Sequence, residues 1–369
     1  MRPLRHLSRL RLSQFRNYAS AALDLDGRHL VLVGPNGAGK TNLLEAVSLL
    51  SPGRGLRGAS FDEVAAQGSD GNWAVAVTVE TPAGPVDIGT GSNPDGGRRV
   101  RINGANAKTI EEMSAYLRVL WLTPSMDGLF TGPAADRRRF LDRLVTTLIP
   151  GHSATVSDYE KAMRQRNRLL DEDADPRWLD ALEAQMASLA AAVHFARADA
   201  IADLQALAAA EPGTDFPSAR LGLTQLFEDR HVPESSSALE DELRELWAAN
   251  RPVDRAAGRT LAGPHRIDLD IVHAQKNMPA ALGSTGEQKA LLIGLILAHA
   301  RLVKRTTGIA PFLLLDEIAA HLDPGRRAAL FVALDSLQTQ CFMTGTDPML
   351  FDALRDDAQR VTVRDGRLA

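Results

Sequence analysis

The sequence predicts an α/β head assembled from both ends of the chain, with a lobe of long helices inserted between them. Three observations carry that expectation: an apolar strand running into a glycine-rich turn at Gly34, a middle third with helical period, and strands alternating with helices beyond about Thr260. At 369 residues the chain exceeds what a single core usually holds, so one large domain with an insertion, or two domains, is expected. We divide it into residues 1–130, the first part of the head, 131–257, the helical arm lobe, and 258–369, the second part of the head. A hydrophobic share of 44% and a charged share of 24% describe a globular protein with a real core, and exclude a fibrous or wholly disordered chain.

Residues 4–12 and 21–33 read as strands, the second ending in Leu30-Val31-Leu32-Val33, and residues 73–80 alternate as a half-buried strand. Residues 82–97 are loaded with Gly, Pro and Asp and read as hairpin turns, after which Arg98 to Ile102 resumes a strand. From about Asp136 the pattern turns helical. Ser157 with Glu160, and Ser237 with Glu240, have the spacing of capping boxes, and a long helix begins near Pro176. Leu182, Met186, Leu189, Val193, Ile201, Leu204 and Leu207 fall on one stripe of it and read as packing. Residues 212–217 and 231–236 interrupt the lobe. Beyond Thr260, a helix from Glu287 to Arg305, the strand Phe312 to Leu315, a helix after Asp323-Pro324 and the strand Cys341 to Thr344 imply a parallel sheet.

The single cysteine, Cys341, rules out a disulfide framework or a cysteine-rich zinc site within one chain. The opening residues lack the apolar core of a signal peptide and no stretch approaches a membrane span, so a cytoplasmic protein is expected. The net charge of −4 hides an asymmetry: residues 1–150 hold 18 Lys and Arg against 14 Asp and Glu, and the remainder is acidic. Any surface for a polyanion is expected mainly on the N-terminal part.

Gly34-Pro35-Asn36-Gly37-Ala38-Gly39-Lys40-Thr41 fits the phosphate-loop pattern, between the strand ending at Val33 and a helix expected from Thr41 to about Leu50. Glycines let backbone N–H groups curl around phosphate oxygens at a helix start, Lys40 supplies charge to the β and γ phosphates, and the Thr41 hydroxyl is a ligand for Mg²⁺. The second half of the site is Phe312 to Leu315 followed by Asp316-Glu317, an acidic pair at the carboxyl end of a buried strand. Asp316 is expected to hold Mg²⁺ through its water shell, and Glu317 to polarise the attacking water as general base.

Ser284-Thr285-Gly286-Glu287-Gln288, ahead of an apolar helix and shortly before the acidic strand, has the position and form of an ABC signature motif, and Ala320-His321-Leu322-Asp323 matches the D-loop of that class. The expected fold is therefore an ABC-type (P-loop) ATPase head with an inserted helical arm lobe, using ATP and Mg²⁺. In ABC proteins Ser284 and Gly286 correspond to groups that complete the ATP site of a second subunit, which implies an ATP-dependent homodimer.

Leu10-Arg11-Leu12-Ser13-Gln14-Phe15-Arg16-Asn17-Tyr18 resembles the opening of the RecF family. Thr123-Pro124 to Gly132-Pro133 with Arg137 to Asp142, Tyr159 with Arg166 to Leu170, and Gly263-Pro264-His265-Arg266 resemble later motifs of the same family, so the likeness spans the chain. The resemblance implies an SMC-like head, ATP-dependent binding of single-stranded and gapped DNA, recombinase loading with RecR and RecO partners, and support of replication restart and the SOS response. No histidine follows the strand at Cys341, leaving Thr344, Thr346 or Asp347 as γ-phosphate sensor, and no glutamine stands between Trp121 and Asp127 in the usual Q-loop place. Both departures imply slow hydrolysis, with ATP as a switch.

With 5% aromatics and no row of stacking side chains, DNA affinity is expected from cations on phosphates. Candidates are Arg54, Arg57, Arg98, Arg99, Arg101 and Lys108, each equally readable as a solvated surface group; Arg137, Arg138 and Arg139 read either as arm braces or as nucleotide contacts. Two rivals are weaker. A transporter ATPase usually lacks the helical lobe and carries the switch histidine, and an SMC-type linker needs long heptad arms that Pro212, Pro217 and Pro233 interrupt.

Overall fold

A computed structural model describes residues 3–93, 97–210, 215–227 and 231–369. Parts of the expected turn at 82–97 and of the expected linker at 212–217 lie outside the described residues. In chain order the elements are β1 (His6–Phe15), β2 (Tyr18–Asp24), β3 (His29–Val33), α1 (Lys40–Ser48), β4 (Ala74–Thr81), β5 (Gly84–Ser92), β6 (Arg98–Ile102), β7 (Ala105–Asn106) and β8 (Val119–Leu122). Then follow α2 (Ala134–Leu148), α3 (His152–Asp171), α4 (Pro176–Ala210), β9 (Ala219–Leu223), α5 (Ser236–Ala257), β10 (Leu269–His273) and β11 (Met278–Pro279). The chain closes with α6 (Thr285–Thr307), β12 (Phe312–Leu315), α7 (Pro324–Leu337), β13 (Cys341–Gly345), β14 (Ala358–Arg364) and β15 (Arg367–Leu368).

Contacts divide the chain into two units: residues 1–128, 213–217 and 284–369 in the first, and 129–212 with 218–283 in the second. The first unit holds two sheets. One is antiparallel, in the order β2-β1-β4-β5-β6-β7; the other, β15-β14-β3-β13-β12-β8, is parallel from β14 to β8. Phe312 to Leu315 are all buried because β12 lies between β13 and β8 and is covered on both faces, which is why it reads as an unbroken apolar run. In the antiparallel sheet Leu10 and Leu12 alternate inward; a bulge between Leu7 and Arg9 shifts the register, so Leu7 is also buried.

The second unit packs α3, α4 and α5 around Trp247, Met186, Leu239 and Leu243. The stripe expected on α4 is its buried face, with Leu189 only partly covered. α5 continues through Pro252 and stops at Gly258, whose φ of 64° supplies the left-handed cap.

Several local expectations need correction. The strand expected at 21–33 is two strands, β2 and β3, parted by a turn at Gly27. β5 occupies residues expected to be turns: Val86, Ile88 and Thr90 point inward, while Pro, Asp and Gly on the other positions hide the alternation. Ser157 lies inside α3, which begins five residues earlier at His152, and the cap of α5 is Ser235, accepting from the Ala238 amide. Residues 258–283, expected to return to the head, belong to the second unit, because β10 pairs with β9 and β11 there and Trp247 donates its indole N–H to Ala262 O at 2.8 Å.

Candidate functional site

β3, β13 and β12 are neighbours and end together, so the loop after β3, the residues after β12 and the end of β13 meet at one edge of the parallel sheet. That edge, outside the carboxyl ends of parallel strands, is where ligands bind in open α/β sheets. Gly34 to Thr41 leaves Val33 and enters α1, as the phosphate-loop pattern requires. A side chain at Gly34 would meet Val363 O at 2.1 Å, and Gly39, at φ 113°, would drive a Cβ to 2.6 Å from Asn17 Nδ2 and 2.8 Å from the Tyr18 hydroxyl. Glycine is the residue that fits at both positions.

Lys40 is buried and its ammonium donates to Gly34 O at 2.7 Å and Pro35 O at 3.0 Å. The Thr41 hydroxyl donates to the Asp316 carboxylate at 3.0 and 3.1 Å. Asp316 is itself placed by its amide, which donates to Leu122 O of β8 at 2.9 Å, and it accepts from the Thr344 hydroxyl at 2.7 Å. The Glu317 amide donates to the same Thr344 oxygen at 2.9 Å. Glu317 holds a left-handed backbone, φ 51° and ψ 21°, uncommon for a residue with a Cβ, and such strain clusters at functional sites. Its carboxylate makes no hydrogen bond among the described residues. Thus Lys40, Thr41, Asp316 and Glu317 come together, and Thr344 joins them.

Sequence reasoning assigned no role to Asn17 and Tyr18. Asn17 donates to Ala38 O at 3.2 Å and accepts from Asn42 at 2.7 Å, and the buried Tyr18 hydroxyl donates to Gly39 O at 3.0 Å. Burial pushes the Tyr18 phenol up to about 12, so it stays a donor. Arg16 pairs with the buried Glu45 of α1 at 2.6 Å, and Phe15 packs edge-on against Trp73. The Phe-Arg-Asn-Tyr run thus braces the phosphate loop and the helix behind it; the signal was its position, at the turn two strands before the loop.

Ser284 and Gly286 are exposed at the start of α6. Ser284 closes a capping box, its oxygen accepting from the Glu287 amide at 3.4 Å and its own amide donating to Glu287 at 2.8 Å. Gly286 O accepts from Arg326 of α7 at 3.3 Å. Neither hydrogen-bonds the phosphate loop of its own chain among the described residues. In the Q-loop place, Asp127 pairs with the buried Lys289 of α6 at 3.0 Å. Asp347 caps the short helix after it, and Thr346 is exposed.

The family model described as RecF/RecN/SMC N terminal domain matches residues 6–368. The DNA replication and repair protein RecF of Rhizobium leguminosarum bv. trifolii is 56% identical over 98% of both chains, and that of Rhizobium meliloti is 55% identical over the same shares. The chain belongs to the RecF family. A solved structure of the recombination mediator protein RecF with ATP in the RecFOR pathway, 21% identical, superposes with a TM-score of 0.81 over 100% of this chain and 99% of that one, which establishes a shared fold. An SMC head bound to the winged-helix domain of ScpA, 17% identical, reaches 0.51 over 99% of this chain and 97% of its own.

The motifs of the second unit land in a buried polar network of this RecF-family chain. Arg166, fully buried, donates to Glu183 at 2.8 Å, Asp254 at 2.7 Å, Thr260 at 2.9 Å and Trp247 O at 2.9 Å. The His265 Nε2–H donates to Thr260 O at 3.0 Å, which leaves Nδ1 to accept from the Tyr159 hydroxyl at 2.8 Å. Arg137 forks onto Asp268 at 2.9 and 2.6 Å and Arg138 reaches Ile267 O, so these two brace the unit, while Arg139 pairs with Asp136 one turn away on the exposed face of α2. Among the candidate DNA cations, two are committed elsewhere. Arg57 pairs with Glu45 at 2.6 Å, and Arg98 is sunk against Leu49 O, Ser51 O and Gly53 O, where burial lowers its pKa to about 10. Arg54, Arg99, Arg101 and Lys108 are exposed.

Proposed function

We propose that the chain is an ATP-switched DNA-binding protein of recombinational repair and replication restart. It binds single-stranded and gapped DNA, dimerises on ATP, hydrolyses ATP slowly, and assists recombinase loading and the SOS response with RecR- and RecO-like partners. The observation that carries this reading is the convergence of the Thr41 and Thr344 hydroxyls on Asp316, with the Glu317 amide on Thr344 and Lys40 next to Thr41. The carbonyls that hold Lys40 are neutral and belong to its own loop, so a phosphate outcompetes them by charge. One carboxylate and one hydroxyl are the donor set of a magnesium ion that keeps waters and phosphate oxygens as its other ligands. Mg²⁺ bound by Thr41 and Asp316 supplies charge neutralisation to the phosphates. The Glu317 carboxylate, unengaged, is available to take a proton from water. Names of relatives support the pathway, and the exposure of Ser284 and Gly286 supports their use by a second copy.

With Thr344 engaged by Asp316, γ-phosphate sensing falls to Thr346 or Asp347, in keeping with slow turnover. Two substitutions test the scheme. Glu317→Gln is expected to bind ATP normally, to lose roughly 10²- to 10⁴-fold in hydrolysis, and to remain dimeric in ATP during sedimentation. Ser284→Arg is expected to bind ATP yet stay monomeric and lose ATP-dependent DNA binding. A Ser284→Arg protein that still dimerises reduces Ser284 to a helix cap and removes the shared site.

A further inference from the structure

Thr344 is buried at the end of β13, the strand that lies between β3, which leads into the phosphate loop, and β12, which ends at Asp316. Register sets its place. Met343 lies opposite Leu315, so Thr344 stands level with Asp316, and on its other side it pairs with Leu32 of β3. A hydroxyl has one proton and two lone pairs. The proton goes to Asp316 Oδ1 at 2.7 Å, and a lone pair accepts the Glu317 amide at 2.9 Å. One side chain therefore holds both members of the acidic pair, the first by its carboxylate and the second by its backbone.

The two hydroxyls on Asp316 differ in kind. Thr41, half-buried at the start of α1, reaches both carboxylate oxygens, at 3.0 and 3.1 Å, from the loop that meets the ligand. Thr344 belongs to the covered interior of the sheet and grips Oδ1 alone, which leaves Oδ2 turned to Thr41. Glu317 is held differently. Its left-handed backbone, disfavoured for a residue with a Cβ, persists only where the surroundings fix it, and its amide finds its acceptor in the Thr344 side chain. A shift of the backbone there swings the unengaged Glu317 carboxylate, and a displacement of about 1 Å at a reacting group costs roughly 100-fold in rate. Valine has the shape of threonine without its donor or acceptor, so it removes both holds at once.

We infer that Thr344 is a positioning residue for ATP hydrolysis, its hydroxyl keeping Asp316 set for the metal and Glu317 in the conformation that presents its carboxylate to water. The inference rests on the ATP-hydrolysing reading above and adds to it a residue that acts through both acidic groups. It is tested with the full chain carrying Thr344→Val. Steady-state hydrolysis is followed across Mg²⁺ concentration, binding of ATP in EDTA and of AMP-PNP with Mg²⁺ is measured by calorimetry, and the melting temperature is recorded. kcat should fall about 100-fold, and the Mg²⁺ concentration needed for half-maximal rate and for AMP-PNP binding should rise about tenfold. ATP affinity in EDTA should be unchanged, since Gly34 to Thr41 is untouched. Thr344→Ser, which keeps the hydroxyl and drops the methyl, should restore most of both losses. A valine chain that melts lower but keeps its kcat and Mg²⁺ dependence overturns the inference, because a merely structural threonine behaves that way. A serine chain no better than valine overturns it too, by assigning the effect to the methyl, as does an equal loss of ATP affinity in EDTA. Thr344→Cys, close in size and weak in hydrogen bonding, takes the place of valine should that chain not fold, with the same outcomes deciding. An unsubstituted chain that hydrolyses no ATP with Mg²⁺ sinks the ATP-hydrolysing reading itself.

Discussion

Lys40 and Arg166 are both buried cations, and their partners differ in kind. Lys40 touches two neutral carbonyls of its own loop, and its neighbours at the sheet edge are a carboxylate, two hydroxyls and a strained glutamate. Arg166 is held at all three nitrogens: two carboxylates, a hydroxyl and a carbonyl accept from it, and Arg251 shares Glu183 with it. A cation whose partners are weak can exchange them for a ligand. One whose partners are buried charges cannot leave without stranding them. Two motifs equally conspicuous in the sequence thus differ in kind: one holds a cation that can exchange its partners, the other is a structural clasp.

Arg166→Ala is the hardest test of that contrast. It strands Asp254 and weakens the hold on Glu183, and should cost about 3–5 kcal/mol of stability, read from urea unfolding followed by far-UV circular dichroism. A loss under about 1 kcal/mol would make the clasp an ordinary exposed pair in energy and erase the difference.

Lys40→Ala should act in the opposite sense. ATP affinity should drop roughly 100-fold, about 2.7 kcal/mol by calorimetric titration, while the urea midpoint stays close to that of the unsubstituted chain. Unaltered ATP binding would remove Lys40 from the site.

The smallest effect sharpens the picture of the second unit. Burial lowers the His265 imidazole to about 4, with the bond to Thr260 O opposing and the Arg266 and Arg138 charges adding to the fall. The unfolded state, near the ordinary 6.5, binds the proton first, so stability is fully present above about pH 6.5 and declines as pH drops towards 4. Since the ring is partly exposed, about 1–2 kcal/mol between pH 7 and 4.5 is expected. Asp142, raised by burial but lowered more by hydrogen bonds from His152 and Arg197, adds a further decline as pH falls through its folded, depressed value. The decline between pH 6.5 and 4.5 should flatten in His265→Gln; an identical pH profile in that variant assigns it to another group.

What the sequence by itself determined is the chemistry that depends on neighbours along the chain. The phosphate loop, the Asp316-Glu317 pair and the capped start of α6 are each a few consecutive residues whose spacing the backbone geometry demands, so they are legible without a fold. Tertiary structure decided everything that depends on neighbours in space. Thr344 stands 28 residues from Asp316, and Asn17 21 residues from Ala38; parallel register and hairpin pairing bring them together, and no local pattern encodes that meeting. Charge alone could not separate Arg98, drawn under a sheet to cap carbonyls, from Arg99, left in solvent one residue later, because strand alternation sends successive side chains to opposite faces. The return to the first unit came at residue 284 and not at 258, since β10 completes its hydrogen bonds with β9 and β11, strands too short to announce themselves. Backbone groups must be paired wherever they are buried, and which strand pairs them is settled only when the whole chain is in place.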